Sequence, residues 1–383
     1  MADTTATALS DKIIKKTRNI PYTFLHARRT FSRVFLRRFY SLFTETKVEG
    51  LENIPEEGPL LVLPNHLSNL DGPLVLGLYP YQLEMVGPRD FKMEPFKSMM
   101  MAVYGMTLIR RGYADSEAVS GIIRNLRNRK HLLMFPSGGM WEKRNFHNKS
   151  GAVYFSQLTQ TPILPVGISG AYMQSHGTLT MHKPNMVLRF GKVVQPVSKK
   201  GNKAERERLL NVANEELQTV MFDLLESEEK ERYNRWARET YSMEVEYRSG
   251  GRVETVRPYT EGFLPTLAEF AIKPNLFRPM WKHARKNMDP FMKKKFYSPA
   301  RVDACARDLH ENLTGSFVQY LPYRLGREAH ETALREIAEL RELCADAAGR
   351  GGEVRIVPTA VDPETGHVRT EPLVGAVPVP VAP

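Results

Sequence analysis

The sequence predicts an α/β protein: a central, mostly parallel sheet flanked by helices, preceded by a basic amphipathic helical pair and followed by an α+β extension. Three observations carry this. Short, largely apolar runs recur at 59–64, 132–135, 163–168 and 186–191, the look of buried strands. Helical stretches at 71–78, 96–102, 116–128 and 151–159 lie among those runs, and strands alternating with helices indicate a parallel α/β sheet. From residue 226 the composition shifts to dense charge and hairpin signals.

Taken in order, residues 1–45 are basic and aromatic together. Lys12, Lys15, Lys16, Arg18, Arg28, Arg29, Arg33, Arg37 and Arg38 share them with Phe24, Phe31, Phe35, Phe39 and Phe43. Phe31, Val34/Phe35, Phe39 and Leu42/Phe43 recur at helical spacing, and Pro21 divides the segment into two helices. Two readings stand: a basic amphipathic pair lying on an anionic bilayer surface, or helices packed on the rest of the chain with the basic face in water. Residues 46–226 form the α/β domain and close on a charged helix over 202–225. Residues 227–371 form the extension. It comprises an exposed helix over 226–238, a hairpin around Ser249-Gly250-Gly251, helices over 300–313 and 327–347, and a second hairpin around residues 362–366. Residues 372–383, rich in Pro, Val, Ala and Gly, read as a disordered tail.

Composition narrows the partners. Apolar residues make up 42% of 383, enough for a large core, and the net charge of +11 favours anionic partners. Cys305 and Cys344 stand far apart without a CxxC partner, so neither a disulfide framework nor a zinc site is expected. His131, His147, His176 and His182 have no ligand spacing. No run reaches the roughly 18–20 apolar residues of a spanning helix, and no h-region marks a signal peptide. No aromatic–basic nucleic-acid motif is present.

The sharpest chemical signal is Asn65-His66-Leu67-Ser68-Asn69-Leu70-Asp71, directly after the first apolar run. Five positions separate the imidazole from the carboxylate, about 140° on a regular helix and opposite faces of a strand. Neither regular element pairs them, whereas a strand end turning into a helix could, with Asp71 in the helix's first turn. The carboxylate would then fix the imidazole's tautomer, and the second ring nitrogen would be left to take a proton from a hydroxyl. Taken alone, His-x4-Asp reads rather as a loop histidine beside a helix-start aspartate. Three further segments follow: Tyr104-Gly105-Met106-Thr107-Leu108-Ile109-Arg110-Arg111-Gly112, Phe135-Pro136-Ser137-Gly138-Gly139 and Thr161-Pro162-Ile163-Leu164-Pro165-Val166-Gly167.

Together these resemble the four ordered blocks of the glycerolipid acyltransferase family, whose best-known members acylate 1-acyl-glycerol-3-phosphate. The resemblance runs from about residue 12 to 197, roughly half the chain. It implies a fatty acyl group moved from acyl-CoA or acyl-carrier protein to the hydroxyl of a lysophospholipid, with no metal or bound cofactor. His66 would be the general base and Asp71 its orienting partner. Arg111 matches the arginine that helps bind the acceptor's phosphate, and Pro165 the proline of the fourth block. Arg110, Ser137, Gly138, Gly139 and Lys149 complete the expected substrate-binding set, Gly138 and Gly139 by turning backbone N–H groups toward an anion. The N-terminal helices resemble the family's membrane-docking pair, which implies a peripheral or monotopic protein on the cytoplasmic face of the cell membrane.

The third block departs from the family pattern Phe-Pro-Glu-Gly-Thr-Arg: Ser137 replaces the glutamate and Met140 the arginine. A hydroxyl and a thioether cannot form a charge-assisted fork on phosphate. Glu142, Lys143, Arg144 and Lys149 follow closely and offer replacement charges. Two alternatives to the family's usual activity therefore stay open: an acyltransferase for a lipid lacking glycerol phosphate, and a lipid-binding member without activity.

Overall fold

The structure, a computed structural model, describes residues 22–89, 95–140, 148–174, 178, 182–273, 289–314 and 326–371. The first expected N-terminal helix, the 372–383 tail, and Trp141, Glu142, Lys143, Arg144, His147 and His176 lie outside the described residues. Two units are distinguished, Met1–Glu231 and Arg232–Pro383.

In the first unit helix α1 (Tyr22–Phe43) leads into strand β1 (Glu45–Glu49), followed by β2 (Leu60–Pro64), α2 (Asp71–Leu78) and β3 (Leu83–Pro88). Next come α3 (Pro95–Tyr104), β4 (Thr107–Ile109), α4 (Ser116–Arg127), β5 (His131–Leu133), α5 (Gly151–Thr159), β6 (Ile163–Ser169), β7 (Asn185–Phe190) and α6 (Lys203–Asp223). The seven strands form one sheet in the order β1-β7-β6-β2-β5-β3-β4. Every pair is parallel except β6–β7, in agreement with the expected mostly parallel sheet. All five residues of β2 and all seven of β6 are buried, the burial their unbroken apolar runs imply. The three strands not read from the sequence have weaker signals: β1 is a polar edge strand, β4 spans three residues, and β3 carries a charge in its interior.

That charge is Glu84, and it pins α1 to the sheet. Arg29 donates to both Glu84 oxygens at 2.7 and 2.8 Å, and Lys130 Nζ adds a third bond at 2.8 Å. Burial pushes the Glu84 carboxyl upward, but the bonds and charges of Arg29 and Lys130 outweigh it and hold the group below its ordinary value. Arg29 also donates to the carbonyls of Tyr104 and Gly105.

Here the reading of a water- or lipid-facing basic row is corrected for Arg29 and Arg33 and holds for the exposed Arg37 and Arg38. Arg29 is buried, and Arg33, half-buried, bonds the carbonyls of Tyr79 and Pro80 at the end of α2, while Arg37 reaches the Gly77 carbonyl from an exposed position. The last carbonyls of a helix have no intrahelical donor, so cations there satisfy them. The outward face combines these exposed arginines with Phe24, Phe31, Val34, Phe35 and Leu42, all more than half exposed. Gly77 permits the close crossing of α1 and α2, since a Cβ there would lie 2.9 Å from the Leu36 Cβ.

The chain crosses into the second unit within α7 (Ser227–Arg238). The expectation of an exposed helix fails, because Glu229, Arg232, Tyr233, Arg235 and Trp236 are buried. Its charges are spent on ion pairs: Arg235 and Arg238 both reach the buried Asp362. Strands β8 (Thr240–Ser249), β9 (Arg252–Arg257), β10 (Glu353–Val361) and β11 (Val368–Arg369) form an antiparallel sheet in the order β11-β10-β8-β9. Helices α8 (Pro265–Ile272), α9 (Asp289–Met292), α10 (Pro299–Thr314) and α11 (Arg327–Gly349) complete the α+β unit.

Candidate active site

Parallel strands deliver the residues that follow them to one edge of the sheet. Three of the segments singled out in the sequence leave that edge, after β2, β4 and β5, and the fourth runs along β6, its Val166 paired with Pro64 at the end of β2.

The segment after β2 is held from both sides. Asn65 is buried, and its amide imitates a peptide group: Nδ2 donates to the Ile168 carbonyl at 2.9 Å and Oδ1 accepts from the Ile168 N–H at 2.7 Å. The chain then leaves the sheet and wraps the Asp71 carboxylate. One oxygen, Oδ2, accepts from His66 Nδ1, the Leu67 N–H and the Ser68 N–H, each at 2.8 Å. The spacing that no regular element satisfies is thus closed by a loop whose backbone donors and imidazole converge on one buried acceptor. An ionised carboxylate has no proton to give, so Nδ1 carries the hydrogen and Nε2 the lone pair. The His66 side chain is 16% exposed and that of Asp71 only 2%. The imidazole is reachable, and the carboxylate orienting it is sealed.

Two partners of this dyad carried no recognised signal in the sequence. Phe135 stacks on the imidazole with ring centroids 3.8 Å apart and 16° between planes, which fixes the ring's orientation from its face. Tyr40 of α1, buried, donates to the Leu70 carbonyl at 2.9 Å immediately before Asp71. Burial, reinforced by the nearby Asp71 charge, pushes the Tyr40 hydroxyl well above the ordinary phenol range. Asn65 belongs with them. Its place directly after an apolar strand was the available signal, because a buried amide there must find backbone partners.

The segment after β5 turns back on itself. The Gly138 N–H donates to the Phe135 carbonyl at 3.0 Å, and the Ser137 hydroxyl donates to the Gly139 carbonyl at 2.9 Å. Gly138 sits at φ +76°, where a Cβ is strained. The expectation that the Gly138 N–H faces an anion is corrected: the turn itself uses that donor. Arg111, half-buried, bonds the Gly138 carbonyl at 2.6 Å, so the arginine after β4 meets the turn after β5. Arg110 points into solvent, while its backbone N–H and that of Ala118 bond Asp115 at the start of α4. Burial raises the Asp115 carboxyl, but those two N–H groups and the charges of Arg110 and Arg89 bring it below its ordinary value.

Lys149 lies at the entry to α5, where its N–H bonds the Pro136 carbonyl at 2.8 Å. Pro165 is buried within β6, opposite Leu63 of β2, and its carbonyl accepts from the Gly191 N–H. The structure therefore brings His66, Asp71 and Phe135 together in one place and Arg111 with Ser137–Gly139 in the adjoining turn. Arg110 stands at the surface, and Pro165 acts through the backbone of the sheet. Of the methionines, Met106 packs against the core while Met99 is exposed. His131 is buried and bonded to the Tyr79 hydroxyl at 2.7 Å, a structural histidine.

Residues 45–169, from β1 through β6, match the protein-family profile described as "Acyltransferase". The chain is 28% identical over 132 residues to the 1-acyl-sn-glycerol-3-phosphate acyltransferase of Saccharomyces cerevisiae, covering 33% of this chain and 43% of that protein. It is 25% identical over 124 residues to the protein of the same name from Borreliella burgdorferi, covering 31% and 49%. The matching segments thus span less than half of each relative. Among solved structures, the 1-acyl-sn-glycerophosphate (LPA) acyltransferase PlsC from Thermotoga maritima aligns with 55% of this chain and 86% of its own, at 19% identity and a TM-score of 0.38.

Proposed function

The chain belongs to the glycerolipid acyltransferase family through residues 45–169, and from that premise we propose that it transfers a fatty acyl group from a thioester to the hydroxyl of a lysolipid at a membrane surface. The observation that carries this reading is the His66–Asp71 pair: an imidazole with Nε2 free, held by a buried carboxylate and backed by Phe135. Alcohols are poor nucleophiles at neutral pH, and a positioned base supplies typically about 10²–10⁴ in rate. Nε2 accepts the hydroxyl proton as the oxygen bonds to the thioester carbonyl carbon. The tetrahedral oxyanion then collapses and expels the thiolate. Asp71 stabilises the imidazolium throughout. The donor is acyl-CoA or acyl-carrier protein.

Two features support a departure from the glycerol-phosphate acceptor. Ser137 and Met140 carry no charge, and the Ser137 hydroxyl and one Arg111 nitrogen bond carbonyls of the turn. The favoured acceptor is accordingly a lysolipid whose headgroup does not end in a free phosphate. Among the described residues no helix is long and apolar enough to cross a membrane. Docking instead uses the outward face of α1, where Phe31 and Phe35 stand 72% and 54% exposed. Arg29 and Arg33 are engaged inward while Arg37 and Arg38 stay exposed on the same helix, so insertion of aromatics leads and attraction to anionic lipid adds to it in this reading.

The test is transfer of labelled acyl groups from acyl-CoA and from acyl-carrier protein to a panel of lysolipids. His66→Ala is expected to lose about 10²–10⁴ of the rate; an unchanged rate excludes His66 as the base. In a vesicle-flotation assay, Phe31→Ser with Phe35→Ser is expected to lose most binding to neutral and anionic vesicles alike. Full retention removes α1 as the docking face.

A further inference from the structure

Helix α1 grips α2 at both ends. At the finish of α2, Arg33 and Arg37 bond the carbonyls of Gly77, Tyr79 and Pro80. At its start, the Tyr40 hydroxyl bonds the carbonyl of Leu70, which also accepts the first intrahelical bond from Leu74 at 2.8 Å. Asp71 is the first residue of that helix, and its carboxylate gathers the loop that carries His66. The end of α1 is capped locally by the Thr44 hydroxyl, which bonds the Tyr40 carbonyl at 2.7 Å, and the chain passes directly into β1, paired with β7. A helix clamped at one end only can slide or rotate by fractions of an ångström, and such a shift breaks a three-donor arrangement on a single oxygen. Clamping both ends removes that freedom.

We propose that Tyr40 is a positioning residue for the dyad: through the Leu70 carbonyl it sets the height and rotation of the α2 start, and so the tautomer and aim of His66. The outward face of the same helix carries the apolar row from Phe24 to Leu42. This inference rests on the reading of His66 as the base, and it concerns a residue that touches neither substrate nor imidazole.

The experiment compares the full chain with Tyr40→Phe, which keeps the buried ring and removes only the hydroxyl. Tyr104→Phe is the control. Its hydroxyl makes an equivalent buried bond to the Leu83 carbonyl at 2.7 Å, at the start of β3 rather than beside Asp71. Two quantities are read: kcat against KM for both substrates, and the share of the Nδ1–H tautomer of His66 from histidine ¹⁵N shifts, assigned with His66→Gln. Tyr40→Phe is expected to lower kcat about threefold to tenfold, the factor one hydrogen bond ordinarily supplies, with KM within about twofold and a smaller Nδ1–H share. Tyr104→Phe is expected to lose similar thermal stability with kcat and tautomer unmoved. An unaltered tautomer in Tyr40→Phe overturns the proposal, as does an equal tautomer change in Tyr104→Phe. If the wild-type protein transfers no acyl group to any acceptor, the tautomer measurement alone decides, so failure of the catalytic reading and failure of the positioning role are seen separately.

Discussion

Two turns leave neighbouring parallel strands of the same sheet and are built in opposite ways. The turn after β2 reaches outward for its support: Asn65 borrows the backbone of Ile168, Leu70 the hydroxyl of Tyr40, and His66 the face of Phe135. What it holds is one reactive nitrogen. The turn after β5 bonds to itself through Gly138 and Ser137, with Arg111 closing on its carbonyl. The first is rigid because distant elements over-determine it; the second is compact and offers few charges to a ligand. On the proposed function, the difference assigns the chemistry mainly to the first turn and the choice of acceptor to the second, joined where Phe135 stacks on His66, and only the second departs from the family pattern.

That separation is open to attack from the strongest effect downward. Asp71→Asn keeps the shape of the first turn and removes the charge that enforces the tautomer, and is expected to lower kcat by a factor on the order of 10²–10⁴. Loss confined to acceptor KM instead would mean that the turn serves binding. Asn65→Ala leaves the Ile168 N–H and C=O without their side-chain partner. It is expected to cost about 2–4 kcal/mol of stability in urea unfolding; a cost near zero would show that the first turn does not depend on this bridge. The smallest effect tests the second turn. Ser137→Glu with Met140→Arg restores the family's charges and is expected to lower KM for a phosphate-terminated acceptor about tenfold, roughly one charge-assisted hydrogen bond. An unchanged KM, or an altered kcat with every acceptor, would dissolve the division of labour between the turns.

Much of this was legible beforehand where a signal is local. The start of α2 at Asp71, the span of α5 and the buried runs of β2 and β6 follow from apolar patterning and helix-start chemistry. The Ser249-Gly250-Gly251 hairpin joins β8 to β9 as its turn residues imply. Strands β1, β3 and β4 were not legible, because a polar edge, an interior Glu84 and a three-residue length each erase the apolar run on which the reading depends.

The sequence by itself determined that a histidine and an aspartate five residues apart could not meet within a regular helix or strand, because they lie about 140° apart on the one and on opposite faces of the other, and that a strand end turning into a helix could pair them. Only the tertiary structure decided which way α1 faces. Helical periodicity counts apolar and charged residues around an axis; it says nothing of the carbonyls at the end of α2 or the buried Glu84, which draw Arg29 and Arg33 inward and leave Phe24, Phe31 and Phe35 outside. Phe135 on His66 and Tyr40 on Leu70 were decided there too, since contacts between residues 69 and 30 positions apart are set by how whole elements pack and not by any local pattern.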